Sequence, residues 1–161
     1  MAGPLLPPEV PGGHQRGTPV VTTQASATST VGQSISDAAT LAGVVTGPGA
    51  TNTGTITCDL FAPADADCSG PPVASSTKQT TGSGTYTSVP VVADQVGTYR
   101  YIASYSGDAY NQPVSGTCSD PKEATVVTKA APTLTTQAAP PVVVGGQISD
   151  TATVGGLYLS A

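Results

Sequence analysis

Residues 94–111 read DQVGTYRYIASYSGDAYN. Within this run Thr98, Arg100 and Ile102 alternate with Tyr99, Tyr101 and Ala103, the period of two expected of a strand with one face buried. Gly97 opens the alternation, and residues 106–113 close it with Gly107, Asp108 and Asn111, residues that turn a chain. The run is a strand over 97–105 followed by a connection.

Working outward, the same texture recurs. Short runs rich in Val, Thr, Ile and Tyr lie between Gly, Pro, Asn and Asp clusters at 20–25, 35–41, 54–61, 73–77, 84–92, 97–105 and 123–129. Thr55 and Thr57 alternate with Ile56 and Cys58, while Gly47, Pro48, Gly49 and Asn52 break the chain before that run and 63–72 reads as a polar loop. About seven strands in roughly 110 residues predict an all-β fold built as a two-sheet sandwich. Composition agrees: 25 Thr, 19 Gly and 15 Pro with no Trp and 9% charged residues leave little from which to build long helices. Thr and Val suit a pleated, half-buried surface instead. A chain of 161 residues has room for one ordinary domain plus extra segments.

Charge narrows the partners. The formal net charge is −5 and the five basic residues are scattered, so there is no footprint for a phosphate backbone and nucleic acid is not expected as a partner. No stretch approaches the roughly 18 consecutive apolar residues of a membrane span, so membrane insertion is not expected either. Residues 1–17 carry Pro4, Pro7, Pro8, Pro11, Gly12 and Gly13 without the basic start and apolar run of an export signal. They read as a disordered Pro/Gly-rich leader, or as the edge of a fragment.

A repeat is the strongest internal feature. Placing Pro19 on Pro132, 113 residues further on, aligns 19–43 with 132–156 without a gap. Thr22, Thr23, Gln24, Ala25, Gly32, Ile35, Ser36, Asp37, Ala39, Thr40 and Gly43 recur as Thr135, Thr136, Gln137, Ala138, Gly145, Ile148, Ser149, Asp150, Ala152, Thr153 and Gly156. One unit is expected over 18–131, with 132–161 as the truncated start of a second. Asp37 and Asp150 share a register at the start of the second strand, which points to a structural job, the carboxylate accepting backbone N–H bonds at the sheet end. Two strands cannot bury a sheet face alone, so 133–161 should be mobile or pair with a free edge.

The stretch at 94–111 resembles bacterial immunoglobulin-like repeat domains, whose sixth strand commonly reads GTYxxxAxYSGDxxN. The resemblance extends to GTITCDLFAPADADC at 54–68, to Cys118 and Glu123, and to the ISDAAT and ISDTAT runs, covering about 19–156. It implies an immunoglobulin-like β-sandwich of the kind found in tandem on large exported or cell-surface proteins, where such units act as stalks, spacers or adhesive modules. Neighbouring repeats are then the first partners, and the location is extracellular or at the cell surface. The resemblance also implies a disulfide between Cys68 and Cys118, leaving Cys58 as a buried free thiol where the family often carries an apolar residue. Tyr99, two residues after Gly97, has the spacing of a tyrosine corner, whose hydroxyl bonds to upstream backbone. Tyr101 would take the place of the second inter-sheet cysteine of antibody domains. This chain has neither that cysteine nor a core Trp, so aromatic packing must fill the position.

The same residues offer little catalytic machinery. His14, the sole histidine, precedes the domain, which argues against Ser–His–Asp and Cys–His chemistry. The cysteine spacings resemble no zinc knuckle, and Gly82–Gly84 lacks the lysine and helix of a phosphate loop. Asp65 and Asp67 share a loop, with Asp108 and Asp120 in others; calcium prefers such ligands, but the spacing only begins a calcium loop, and solvated carboxylates are the expectation. Paired carboxylates for glycoside hydrolysis would need a cleft rare in so small a domain. No catalytic residue, cofactor or metal is expected. The leading reading is a non-catalytic structural spacer. The second is an adhesive module binding a surface glycan or protein through Tyr105, Asp108, Tyr110 and Asn111, since exposed Tyr offers contact area at low entropy cost; packing is the ordinary role of two aromatics in one loop. The third is an accessory domain of an exported enzyme, for which a row of exposed aromatics would be needed.

Overall fold

The computed structural model describes residues 15–49 and 54–159; most of the leader, with His14, and the turn residue Asn52 lie outside them. The strands in chain order are β1 (Val20–Ala25), β2 (Thr28–Thr30), β3 (Ser34–Ile35), β4 (Asp37–Ala42), β5 (Thr55–Phe61), β6 (Ala74–Gln79), β7 (Gly84–Thr87), β8 (Val91–Val92), β9 (Gly97–Tyr105), β10 (Val114–Ser115), β11 (Ala124–Thr128), β12 (Thr133–Ala138) and β13 (Asp150–Gly155). A single 3-10 turn, Pro121–Glu123, precedes β11.

Two layers form the sandwich. One runs β1-β4-β7, with β3 and β8 paired beside it; the other runs β2-β11-β9-β5-β6, with β10 also on β9. All ladders are antiparallel except β2 on β11, which is parallel. The first strand thus switches layers between β1 and β2. Ser26 makes the corner: its N–H and hydroxyl both reach the Ser36 carbonyl, and its own carbonyl accepts the Thr125 hydroxyl.

β10 and β11 occupy the same side of β9, opposite Ser104–Tyr105 and Gly97–Arg100 respectively. Between them the chain leaves the sheet in the loop carrying Cys118. The backbone of Ala103 is not abandoned there: its carbonyl accepts Gly116 N–H at 2.8 Å and its N–H points to the Glu123 carboxylate at 3.4 Å.

The alternation read from sequence sets the packing. Tyr99, Tyr101, Ala103 and Tyr105 on β9 face inward with Ile56, Cys58 and Leu60 on β5, Ala39 and Leu41 on β4, Ile35 and Val127. Large aliphatic groups are few, so Tyr101 and Tyr105, each 1% exposed, supply much of the core volume.

Two of the expected strands are interrupted. The run at 35–41 splits at Ser36, and that at 84–92 splits at Ser88–Pro90, where Pro90 offers no N–H to a ladder. Ser88 carries the pairing across the gap: its N–H reaches the Asp37 carbonyl at 2.8 Å and its hydroxyl accepts the Asp37 N–H at 3.0 Å.

The last two strands form a separate hairpin. Its register, Thr133↔Gly155 to Ala138↔Asp150, reproduces that of β1 on β4, Val20↔Ala42 to Ala25↔Asp37, pair for pair. The left-handed glycines match as well: Gly32 and Gly145 have φ of 89° and 88°, Gly43 and Gly156 of 73° and 72°. What differs is the cover. Ile35 and Leu41 are 1% exposed, whereas Ile148 and Val154 at the corresponding positions are 84% and 52% exposed. The tail therefore pairs with itself and adds no strand to either layer among the described residues, and the Tyr158 ring lies close over Gly32 of the sandwich.

Candidate functional site

The loop after β9 is closed by its own polar groups. One Asp108 oxygen accepts the N–H of Tyr110 at 2.7 Å, the N–H of Asn111 at 2.8 Å and the Asn111 amide at 2.9 Å, and its partner oxygen accepts the Tyr105 hydroxyl at 3.3 Å. Asn111 also pairs both ways with Val45 across to the loop after β4, accepting from its N–H at 2.8 Å and donating to its carbonyl at 2.9 Å. Tyr110 lies against Gly47, where a Cβ would come within 2.3 Å of the ring. Only a glycine lets that ring lie flat.

These bonds alter what the loop can offer a ligand. Tyr105 is 1% and Asn111 0% exposed, so neither presents the exposed contact surface the sequence suggested; closing the loop takes them inside. Asp108 and Tyr110 are half-buried. The structure brings the four residues together as one hydrogen-bonded corner.

Tyr99 forms the expected corner at the start of β9. Its hydroxyl donates to Asp94 at 2.8 Å and accepts the Gln95 N–H at 3.1 Å. Burial, reinforced by the bond to the carboxylate, pushes its pKa above the usual tyrosine value. Cys68 and Cys118 are joined, with Cα atoms 5.9 Å apart, linking the loop after β5 to the loop between β10 and β11. Cys58 is free and buried.

The acidic loops serve as caps. Asp65 accepts from the N–H groups of Ser69 and Gly70, Asp67 from the Ser69 N–H and hydroxyl, and Asp120 from Lys122 N–H. The Ser69 hydroxyl is the main cause that holds the Asp67 carboxyl below its ordinary value. Among the described residues no group of three or more His, Cys, Asp or Glu is gathered as a metal site.

The least expected feature lies between the layers. Asp37, from β4, is 0% exposed and both its carboxyl oxygens lack a hydrogen-bond partner. The carboxylate was expected to accept backbone N–H bonds at the sheet end; inward parity at β4 sends it into the core, near the Ala38 and Gln24 backbone but without a full bond to either, and the Asp37 N–H bonds to Ser88. Asp150 at the equivalent place is exposed. Glu123 is 1% exposed, with its second oxygen unpartnered, as is the Tyr101 hydroxyl. Desolvation raises Asp37 above its usual range despite the nearby Ala38 backbone, and desolvation plus the Asp37 charge lift Glu123 to about 7. Burial likewise pushes the Cys58 thiol up to about 12, which leaves it an unreactive thiol at neutral pH. A cleft of about 120 Å³ beside β6 and β8 reaches Cys58 and Tyr101 from the surface, lined also by Leu60, Ser88 and Val91.

Fold and corner together define an immunoglobulin-like β-sandwich. No family model, no curated protein and no solved structure matches the chain. No helix among the described residues is long and apolar enough to cross a membrane.

Proposed function

We propose that the chain is a non-catalytic structural unit of an exported surface protein, one immunoglobulin-like repeat followed by the opening hairpin of another, whose task is to space or display neighbouring domains. The observation that carries this reading is the hairpin β12–β13, which repeats the β1–β4 register pair for pair after 113 residues. A sequence that folds the same opening twice in line is built as an array. The link between units, residues 129–133, is short and contains Pro132, which limits flexing. The Cys68–Cys118 bond supports an oxidising location.

The loop carboxylates and the corner tyrosine are engaged in holding loops. Asp65, Asp67, Asp108 and Asp120 bind backbone N–H groups, and Tyr99 fixes its corner. A second reading, adhesion to a glycan or protein, is favoured by one observation: the loop around Tyr110 is rigidly closed, so a contact there would need little ordering.

Binding of residues 18–131 to a glycan array and to surface proteins separates the two. The spacer reading expects no saturable binding. Specific binding that is lost in Tyr110→Ala would overturn it in favour of adhesion.

A further inference from the structure

The sandwich buries two acids with no base. Asp37 enters the interior from the β1-β4-β7 layer and Glu123 from the turn before β11 in the other, close enough for the charge of Asp37 to be felt at Glu123. Every Lys and Arg among the described residues is exposed or half-buried. The groups around the pair can be named element by element. β4 gives Asp37, β5 gives Cys58 and β9 gives Tyr101, with Tyr99 and Tyr105 on the same inward face but bonded to Asp94 and Asp108; β1 and the β7–β8 link contribute Thr23 and Ser88, which do not titrate. Asp59 faces the other way and bonds to Ser75, while Asp120 caps the turn and Lys122 is exposed. Nothing in this shell is a cation.

A carboxylate without donors is far harder to bury than a neutral carboxylic acid. Three carboxyl oxygens of the pair, both of Asp37 and one of Glu123, have no partner in hydrogen-bond geometry, and the fourth accepts a long bond from Ala103 N–H at 3.4 Å; the neutral donors nearby, the Cys58 thiol and the Thr23 hydroxyl, do not offset the desolvation of a charged carboxylate. The neutral acids fit this interior and the anions do not. The cleft beside β6 and β8 comes down to Cys58, Ser88 and Tyr101, the last two being neighbours of Asp37.

We propose that this unit is an acid-stabilised domain, in which Asp37 and Glu123 form a pH-sensitive latch between the two layers, closed while both are protonated and loosened as they ionise. The reading is independent of the spacer role and would give such a unit more cohesion in an acidic surrounding than in a neutral one.

The sign follows from linkage. Both acids titrate higher in the folded chain than in the unfolded one, so their contribution to stability is whole below the unfolded values, near 4, and is lost as pH rises through the folded value of Glu123, about 7. The opposite contribution from Asp67, whose pKa is lowered, changes only below its ordinary value of 3.8 and lies outside this window.

The test is urea unfolding of the full chain at constant ionic strength between pH 4.5 and 7.5, for the native sequence, Glu123→Gln and Asp37→Asn. The expected result is a folding equilibrium constant for the native chain that falls on the order of a hundredfold across the window, with a flatter profile in each amide variant. Labelling of Cys58 by a thiol reagent at pH 7.5 should be slower in Glu123→Gln than in the native chain, since the latch no longer opens. A native chain equally or more stable at pH 7.5, or amide variants that keep the full slope, would overturn the proposal. Should neither variant fold, the native profile decides alone.

Discussion

Tyr99 and Asn111 each hold a corner through a few bonds, and their removal should be felt differently. In Tyr99→Phe the Gln95 N–H and Asp94 lose their partner, but Asp94 is exposed and rehydrates, so the loss should be about 1–2 kcal/mol by urea unfolding. Asn111→Ala removes a fully buried side chain and with it the partner of both backbone groups of Val45 and of Asp108, so several bonds and the packing at that corner go together. The same measurement should show about 2–4 kcal/mol. An effect for Asn111→Ala smaller than for Tyr99→Phe would mean that the 106–113 loop is not held as described. At this scale the sequence was partly legible. The Gly97–Tyr99 spacing announced the corner, and the cysteine pairing came with the family resemblance. The buried Glu123 was missed although a signal existed: Glu123, Thr125 and Val127 share one parity, and all three face inward. Asp37, Ala39 and Leu41 carry the same message on β4. Alternation, not residue type, is the guide to where these two carboxyls lie.

Among the elements, strands with strong alternation were readable nearly to the residue: β1 spans 20–25 and β9 spans 97–105 as the pattern predicts. β2 and β10 escaped notice. Thr28–Thr30 is a short polar stretch whose pairing is parallel and nonlocal, with β11 almost a hundred residues away, and Val114–Ser115 is too short to show a period. The run breaks at Ser36 where its backbone turns to bond Ser26, and at Ser88–Pro90 where an N–H is missing, neither of which hydrophobic pattern reports. The loops that flank β5 and β11 depend on the Cys68–Cys118 bond, which closes a sequence separation of 50. By the chain-entropy account, reducing it should lower stability by about 4 kcal/mol, a large part of what a small domain has. Urea midpoints with and without reductant check this, with Cys118→Ser as the matching variant; an unchanged midpoint would remove the bond from the account of stability.

For the molecule as a whole, one sandwich with its own core is followed by a hairpin that repeats the sandwich's opening without its cover. Identical residues in register made the likeness of 132–156 to 19–43 legible in the sequence, but not whether the tail would pair with an edge, because pairing depends on which edges the other strands leave free. The structure places β12 and β13 on each other, with Leu134, Ile148 and Val154 exposed. Two strands without a covering layer add little stability. The claim that residues 18–131 form the self-sufficient unit is tested most directly by comparing the thermal midpoint of a chain ending at residue 131 with that of the full chain. The account expects the two to agree within about 2 °C, less than the change that 1 kcal/mol would produce in a domain of this size. A fall of about 10 °C or more would show that the hairpin belongs to the cooperative fold and would contradict it.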